Sequence, residues 1–303
     1  MRNKKEFNVP FMKYVGGKGQ FVDAIARLMP PKFGKGTFSN YYEPFLGGGA
    51  VALNMLLLSV PRKVYLSDIT PELINTWHCV QRNPIRLLRS LHDIKLPACI
   101  EDYQSVRKEY NVAKCRDINT GAKWIDSMTD KQKFTIAAQY IYLNKTGVNG
   151  IYRVSKRKNE FNISWNKQLK PCFPNHQHLS EVSMLIRNAE ITCQSFTLAL
   201  RGVQENDLVY ADPPYDKTYD NYTANGFGVE GQVHLFNVLQ NMSARGAHVF
   251  ASNSDTDYVR SLYSGWEKVI LQRKGTISSD GCDRGKVNEL LMFKRAMELQ
   301  NVA

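Results

Sequence analysis

Three consecutive glycines between two apolar runs constrain this chain more than any other feature. Tyr42-Glu43-Pro44-Phe45 reads as the end of a strand, Gly47-Gly48-Gly49 as a tight turn, and Ala50-Val51-Ala52-Leu53-Asn54-Met55-Leu56 as the start of a helix. A nucleoside-binding first βα turn is built in that order, strand, glycine turn and helix. Glycine lets the backbone approach a ligand closely, and a helix N-terminus favours polar or negative groups. The spacing is not G-x-G-x-x-G, which counts against a nicotinamide oxidoreductase. Lys63 to Asp68 reads as the second strand. It ends in an acid about 20 residues beyond the turn, where a carboxylate can bind both hydroxyls of a ribose. An acid at a strand end is commonplace alone; with the glycine turn it points to a ribose-containing cofactor.

Strand and helix then stop alternating from Pro71 to about Pro174. Glu72 to Leu91, Glu101 to Cys115 and Asp130 to Leu143 read as helices, with Thr129-Asp130 as a cap for the last. This mostly helical block is too long for a crossover, so residues 71–174 are expected to form an inserted domain. Alternation resumes with a helix at His178 to Arg187 and strands at Glu190 to Phe196, Leu208 to Ala211, His248 to Asn253, Lys268 to Leu271 and Glu289 to Phe293. A helix at Gln232 to Met242 lies between two of them. The expected fold is α/β: a Rossmann-like, mostly parallel sheet of about seven strands built from residues 1–70 and 175–303.

The buried run Leu208-Val209-Tyr210-Ala211 ends in Asp212-Pro213-Pro214-Tyr215. Two prolines cannot continue a ladder, so the strand must turn there, and ligands sit at the carboxyl ends of strands in open α/β sheets. By itself the motif is equally good turn chemistry. Near the N-terminus, Gly16-Gly17 with Lys13 and Lys18 beside them form either an anion cradle or an ordinary turn.

Charge decides what the insert touches. Lys and Arg number 40 against 28 Asp and Glu, a net +12, which suits a polyanion. Asn144 to Lys170 concentrates that excess: Lys145, Arg153, Lys156, Arg157, Lys158, Lys167 and Lys170 against Glu160, interleaved with Tyr152, Phe161 and Trp165. Turn residues at Asn149-Gly150 and Lys158-Asn159 make this a basic β-hairpin of the kind that enters a DNA groove, with a solvated charged loop as the plainer reading. A polar loop from Ser278 to Lys286 carries Arg284 and Lys286, which either contact phosphates or simply connect two strands. Six scattered cysteines without a C-x-x-C pair favour neither a zinc site nor a disulfide framework, and fit a reducing cytoplasm. No signal peptide or bilayer-long apolar run is apparent.

A nucleoside pocket beside Asp212 to Tyr215 suits methyl transfer from a sulfonium donor to an exocyclic amine. The donor is already activated, so the work is positioning and electrostatics and needs no metal. Asp212 and the Pro213 carbonyl would accept the two amine hydrogens, and Tyr215 would stack on the base. In duplex DNA the base must first leave the stack.

These motifs closely resemble the Dam family of DNA adenine-N6 methyltransferases. The match runs through Lys13-Tyr14-Val15-Gly16-Gly17-Lys18, Glu43-Pro44-Phe45-Leu46-Gly47-Gly48-Gly49 and Asp68. It continues with Leu143-Asn144-Lys145, Asn149-Gly150-Ile151-Tyr152-Arg153 and Glu160-Phe161-Asn162, then Asp212 to Tyr215 and Ser252-Asn253-Ser254-Asp255-Thr256. Ile277-Ser278-Ser279-Asp280-Gly281, Arg284, Lys286, Val287 and Glu289-Leu290-Leu291 complete it. The resemblance implies a class I methyltransferase sheet with an inserted target-recognition domain bearing a β-hairpin. It implies S-adenosyl-L-methionine as donor, S-adenosyl-L-homocysteine as product, and no metal. Tyr14, Lys18, Phe45, Gly47, Gly49, Asp68, Phe196 and Asp212 would contact the cofactor. Asp212, Pro213 and Tyr215 would form the catalytic turn. Double-stranded DNA would lie on Lys145, Asn149, Arg153, Lys156, Arg157, Lys158, Trp165, Lys167, Arg284 and Lys286, with GATC or a related short site as target. A bacterial or phage-infected cytoplasm, without membrane attachment or an obligate protein partner, is the expected setting.

The chain departs from the family pattern at Tyr14 (commonly tryptophan), Val148 (usually phenylalanine), Ile163-Ser164-Trp165-Asn166 (a Val-Pro-aromatic-Gly run) and Ser195, where an acid often holds the cofactor's adenine amine. The alternatives are a cytosine-N4 methyltransferase, whose motif more often begins with serine, and a non-catalytic DNA-binding homologue.

Overall fold

A computed structural model describes residues 10–14, 18, 22–28, 38–155, 157–216, 227–274 and 286–295. Seven strands make one sheet: β1 (Asn40–Glu43), β2 (Lys63–Asp68), β3 (Glu190–Cys193), β4 (Leu208–Ala211), β5 (His248–Ser254), β6 (Glu267–Lys274) and β7 (Lys286–Lys294). Their order is β3-β2-β1-β4-β5-β7-β6. The first five pair in parallel, and β7 enters antiparallel between β5 and β6. All seven strands expected from the sequence are present, and the α/β class with a mostly parallel sheet is as read.

Alternation along the strands sorts side chains onto two faces, as the two-residue period of a strand requires. In β4, Leu208 and Tyr210 join the larger core, while Val209 and Ala211 join the smaller one across the sheet. The larger core is covered by α1 (Val22–Leu28), α2 (Ala50–Leu58), α3 (Pro71–Arg82), α4 (Pro84–His92), α5 (Ile100–Ala113), α6 (Gly121–Ser127), α7 (Asp130–Thr146) and α8 (His176–Leu185). The smaller is covered by α9 (Phe196–Ala199), α10 (Gly228–Ala244) and α11 (Asp257–Leu262).

Three expectations are corrected. Glu72 to Leu91 is two helices, because Asn83 caps a new one by accepting the Arg86 amide at 2.9 Å and Pro84 takes its first position. The third strand ends at Cys193, since the Ser195 hydroxyl accepts the Leu198 amide and opens the short α9 at Phe196. Asn144 to Lys170 is an irregular hairpin: among the described residues it has two isolated bridges, Gly147 with Trp165 and Val154 with Phe161, and a few cross-strand backbone bonds such as Asn162 to Arg153, in place of a regular ladder. A 3₁₀ turn at Val148–Gly150 lies between them.

Residues 71–174 share one continuous core with the sheet. α3 packs on β2 and β3 with one side and on α7 with another. Its Trp77 is fully buried, and Phe11 meets that indole edge-on at 4.8 Å. From Ile136 onward α7 runs inside the helical layer, with Ile136, Ala137, Ala138, Tyr140, Ile141, Tyr142 and Leu143 all buried, while its first turn is polar and largely exposed. Among the described residues, no helix is long and apolar enough to cross a membrane.

Candidate active site

The strand order reverses between β1 and β4, which are neighbours in the sheet although more than a hundred residues apart in the chain. The carboxyl ends of β1, β2, β3 and β4 therefore open onto one crevice. The glycine turn follows β1, Asp68 closes β2, Phe196 follows β3 and Asp212 follows β4. These sequence-predicted residues, separated along the chain, arrive at the same sheet edge.

The glycine turn is held from below. Asp68 accepts the Gly47 amide at 3.0 Å and the Thr70 amide at 2.9 Å. Trp77 Nε1 donates to the Gly47 carbonyl at 3.1 Å. Gly49 sits at φ +71°, and a Cβ there would meet the Trp77 ring at 2.6 Å, so only glycine fits. Tyr14 covers the turn from above: a Cβ on Gly47 would lie 2.8 Å from its ring. Burial raises the Asp68 carboxyl above the usual aspartate range, against the opposing pull of the Thr70 and Gly47 amides.

Asp212-Pro213-Pro214-Tyr215 is fixed from two sides. Gln232 on α10 donates to the Pro214 carbonyl at 2.8 Å and accepts from Asn253 on β5 at 2.9 Å. Asn253 also accepts the Asp216 amide at 3.0 Å, while Ser254 donates to the Asp216 carbonyl and Thr256 to its carboxylate, both at 2.8 Å. On the other side, the Tyr215 hydroxyl donates to Glu289 at 3.1 Å. The Lys18 ammonium lies 3.3 Å from Glu289, 3.4 Å from Asp212 and 4.5 Å from the centre of the Tyr215 ring. Burial raises the Asp212 carboxyl; Lys18 pulls it down and Glu289 pushes it up. Among the described residues Asp212 Oδ1 is buried and receives no aligned hydrogen bond, with the Lys18 ammonium 3.4 Å away.

Beyond the glycine turn stand three half-buried rings. Phe196 stacks on Phe45 at 5.5 Å, and Phe227 meets both edge-on at 5.9 and 6.0 Å. His234 lies against Phe196 at 5.2 Å. This wall offers a flat apolar surface to an aromatic ligand.

The predicted nucleic-acid residues divide by exposure. Asn149, Arg153, Arg157, Lys158 and Lys167 are exposed; Lys145 and Trp165 are half-buried. Trp165 packs on the core with its indole nitrogen buried and unbonded among the described residues, and burial lowers the Lys145 ammonium pKa. Arg153 spends Nε on Asn162 at 2.8 Å. Gly16, Gly17, Lys156, Arg284 and the Lys286 side chain lie outside the described residues.

Sequence reasoning assigned no role to Glu289, Gln232, Asn253 or Phe227. Glu289 had a legible signal, an acid opening the apolar run Leu290-Leu291-Met292-Phe293. Gln232 and Phe227 had none, because the polarity of one α10 residue and one loop ring looks like ordinary surface.

Residues 14–277 match the family described as D12 class N6 adenine-specific DNA methyltransferase. The type II methyltransferase M.MjaIII of Methanocaldococcus jannaschii is 34% identical over 284 residues, 90% of this chain and 96% of that one. The DNA adenine methylase of Escherichia coli K12 is 30% identical over 293 residues, 94% of each chain. That of Vibrio cholerae is 30% identical over 289 residues, 93% of this chain and 94% of its own.

Proposed function

The chain belongs to the D12 class of N6 adenine-specific DNA methyltransferases, and from that premise we propose which of its residues hold the methyl donor, which act on the adenine and which read the site. The residues suit S-adenosyl-L-methionine. Gly47 and Gly48 let Tyr14 close onto the turn, where a Cβ would meet it at 2.8 Å, and Asp68 accepts aligned bonds from the Gly47 and Thr70 amides out of about four acceptor positions. Asp68 would take the ribose hydroxyls, Tyr14 and Lys18 would border the amino-acid end, and the Phe45–Phe196 wall would face the adenine. When bound, the cofactor supplies an electrophilic methyl group on a sulfonium.

The chain's own part is to aim the amine. Asp212 as carboxylate accepts one amine hydrogen and the Pro213 carbonyl the other, which directs the nitrogen lone pair at the methyl carbon. Gln232 and Asn253 hold the proline turn so that little reorganisation is needed at the moment of transfer. Tyr215, anchored through its hydroxyl on Glu289, offers its ring face to the flipped base. The observation that carries this reading is the buried Asp212 Oδ1, which among the described residues has no aligned donor and lies 3.4 Å from the Lys18 ammonium. Asp212→Ala is expected to abolish transfer of labelled methyl groups to DNA while most DNA binding survives. Full activity in that variant would refute the assignment.

Residues 71–174 would carry target recognition, with the catalytic part on 1–70 and 175–303. With Nε held by Asn162, the Arg153 guanidinium keeps its two terminal amino groups for a bidentate contact to guanine, which supports GATC or a related short site. Arg153→Ala should then cost about 1–3 kcal/mol of discrimination at one base pair. Sequencing of modified bases in DNA from cells expressing each form reads both target and discrimination; an unchanged site preference with weaker overall binding would make Arg153 a phosphate contact.

A further inference from the structure

Asn144 lies in the last turn of α7, 6% exposed, and spends its whole carboxamide on two distant backbones. Its oxygen accepts the Lys13 amide at 2.9 Å; its nitrogen donates to the Lys13 carbonyl at 2.7 Å and to the Gly150 carbonyl at 3.0 Å. One side chain thus grips both polar groups of a residue near the N-terminus and one group of the turn that opens the hairpin.

What Lys13 and its neighbour touch gives that grip a meaning. Lys13 fills the space above Gly150, where a Cβ would meet it at 2.3 Å. Tyr14 fills the space above Gly47 and Gly48, where added Cβ atoms would meet it at 2.8 Å. Two successive residues therefore press on two turns, one in the hairpin and one in the cofactor cradle. A displacement of Tyr14 as the cradle fills would pull on the adjoining Lys13 backbone, which Asn144 ties to Gly150, three residues before Arg153.

We infer that Asn144 is a positioning residue that couples the cofactor cradle to the hairpin, so that filling one sets the geometry of the other. This rests on the reading above, in which the cradle holds S-adenosyl-L-methionine and the hairpin reads DNA. Coupling of this kind is reciprocal: each ligand tightens the other by the same factor.

The test uses the full chain, S-adenosyl-L-homocysteine, and a duplex bearing the site found by modified-base sequencing. Binding of each ligand is measured alone and with the other saturating. In the wild type the two should tighten one another by about fivefold or more, the lower range for allosteric coupling. Asn144→Ala should bring that factor near one, an effect that a purely structural role would not produce. Asn144→Asp keeps the acceptor for the Lys13 amide and loses both donors, and Lys13→Ala trims the packing on Gly150 to the Cβ alone while leaving the Asn144 bonds to backbone. Both should lower the factor, and they carry the test should the alanine variant fail to fold. A wild-type factor of one, or an undiminished factor in folded Asn144→Asp and Lys13→Ala, would overturn the inference. A wild type that binds neither probe would instead overturn the site assignment beneath it.

Discussion

Glu289 shows how one side chain on a distant strand governs another. It is 2% exposed and shares the Lys18 ammonium with Asp212, so two carboxylates divide one positive charge in a buried place. Replacing it with glutamine leaves an oxygen for the Tyr215 hydroxyl and removes the negative neighbour that raises Asp212. In the role proposed for it Asp212 acts as the carboxylate, so activity should rise with pH through its pKa. Without Glu289 that rise should move to lower pH. Lys18 would then neutralise Asp212 alone, weakening it as an acceptor and lowering kcat by roughly tenfold, less than the ~10²–10⁴ expected of a group acting directly. A kcat/KM profile against pH for Glu289→Gln checks both; an acid limb that stays put would mean that Glu289 acts only as a prop. At this scale the sequence was most legible where backbone geometry forces the residue type, as at Gly47, Gly49 and Pro213. It was least legible where a side chain reaches across the fold, as Gln232 and Asn253 do.

At the scale of elements, local punctuation tells more than periodicity. The capping signal at Thr129 is real: its hydroxyl accepts the Gln132 amide at 3.4 Å, and Gln132 reaches back to the Thr129 amide at 2.9 Å. Thr129→Ala should cost about 1 kcal/mol, measured by urea unfolding, with transfer activity unchanged because the cap lies at the far end of α7 from Asn144. Asn83-Pro84 was equally legible and outweighs the apolar spacing that joins α3 to α4. The hairpin was read too regularly. Its aromatic residues suggested a displayed ribbon, yet Tyr152 and Phe161 are buried, and Trp165 packs on the core. Sequence spacing alone does not tell a ring that meets a ligand from one that anchors a loop. Tyr152 shows why: its hydroxyl donates to Glu72 at 3.3 Å. Glu72 also accepts the Cys115 amide at 2.9 Å, and Lys114 beside it donates to the Asn159 carbonyl at the tip of the hairpin at 3.1 Å. A buried polar network supports this element alongside its few cross-strand backbone bonds.

For the whole molecule, part of the net +12 is concentrated on one segment. Arg153, Arg157, Lys158 and Lys167 stand exposed on the segment whose rings are buried. Each contact with phosphate should add about 0.9 to the slope of log affinity against log salt. Arg157→Ala and Lys158→Ala should each flatten that slope by about one and weaken binding to all sequences alike, whereas Arg153→Ala changes preference. Binding measured across a salt series checks this; an unchanged slope in both variants would put the phosphates elsewhere.

The antiparallel insertion of β7 has a consequence for how the molecule is made. Chains are synthesised from the N-terminus, and β5 and β6 emerge before the strand that must lie between them. Until β7 arrives, β5 presents an unpaired edge and Lys18 and Asp212 lack Glu289. On the proposed site assignment, methyl-transfer competence should therefore arrive late in biogenesis, because a nascent chain lacking β7 would carry the glycine turn and the hairpin but not Glu289 beside Lys18 and Asp212.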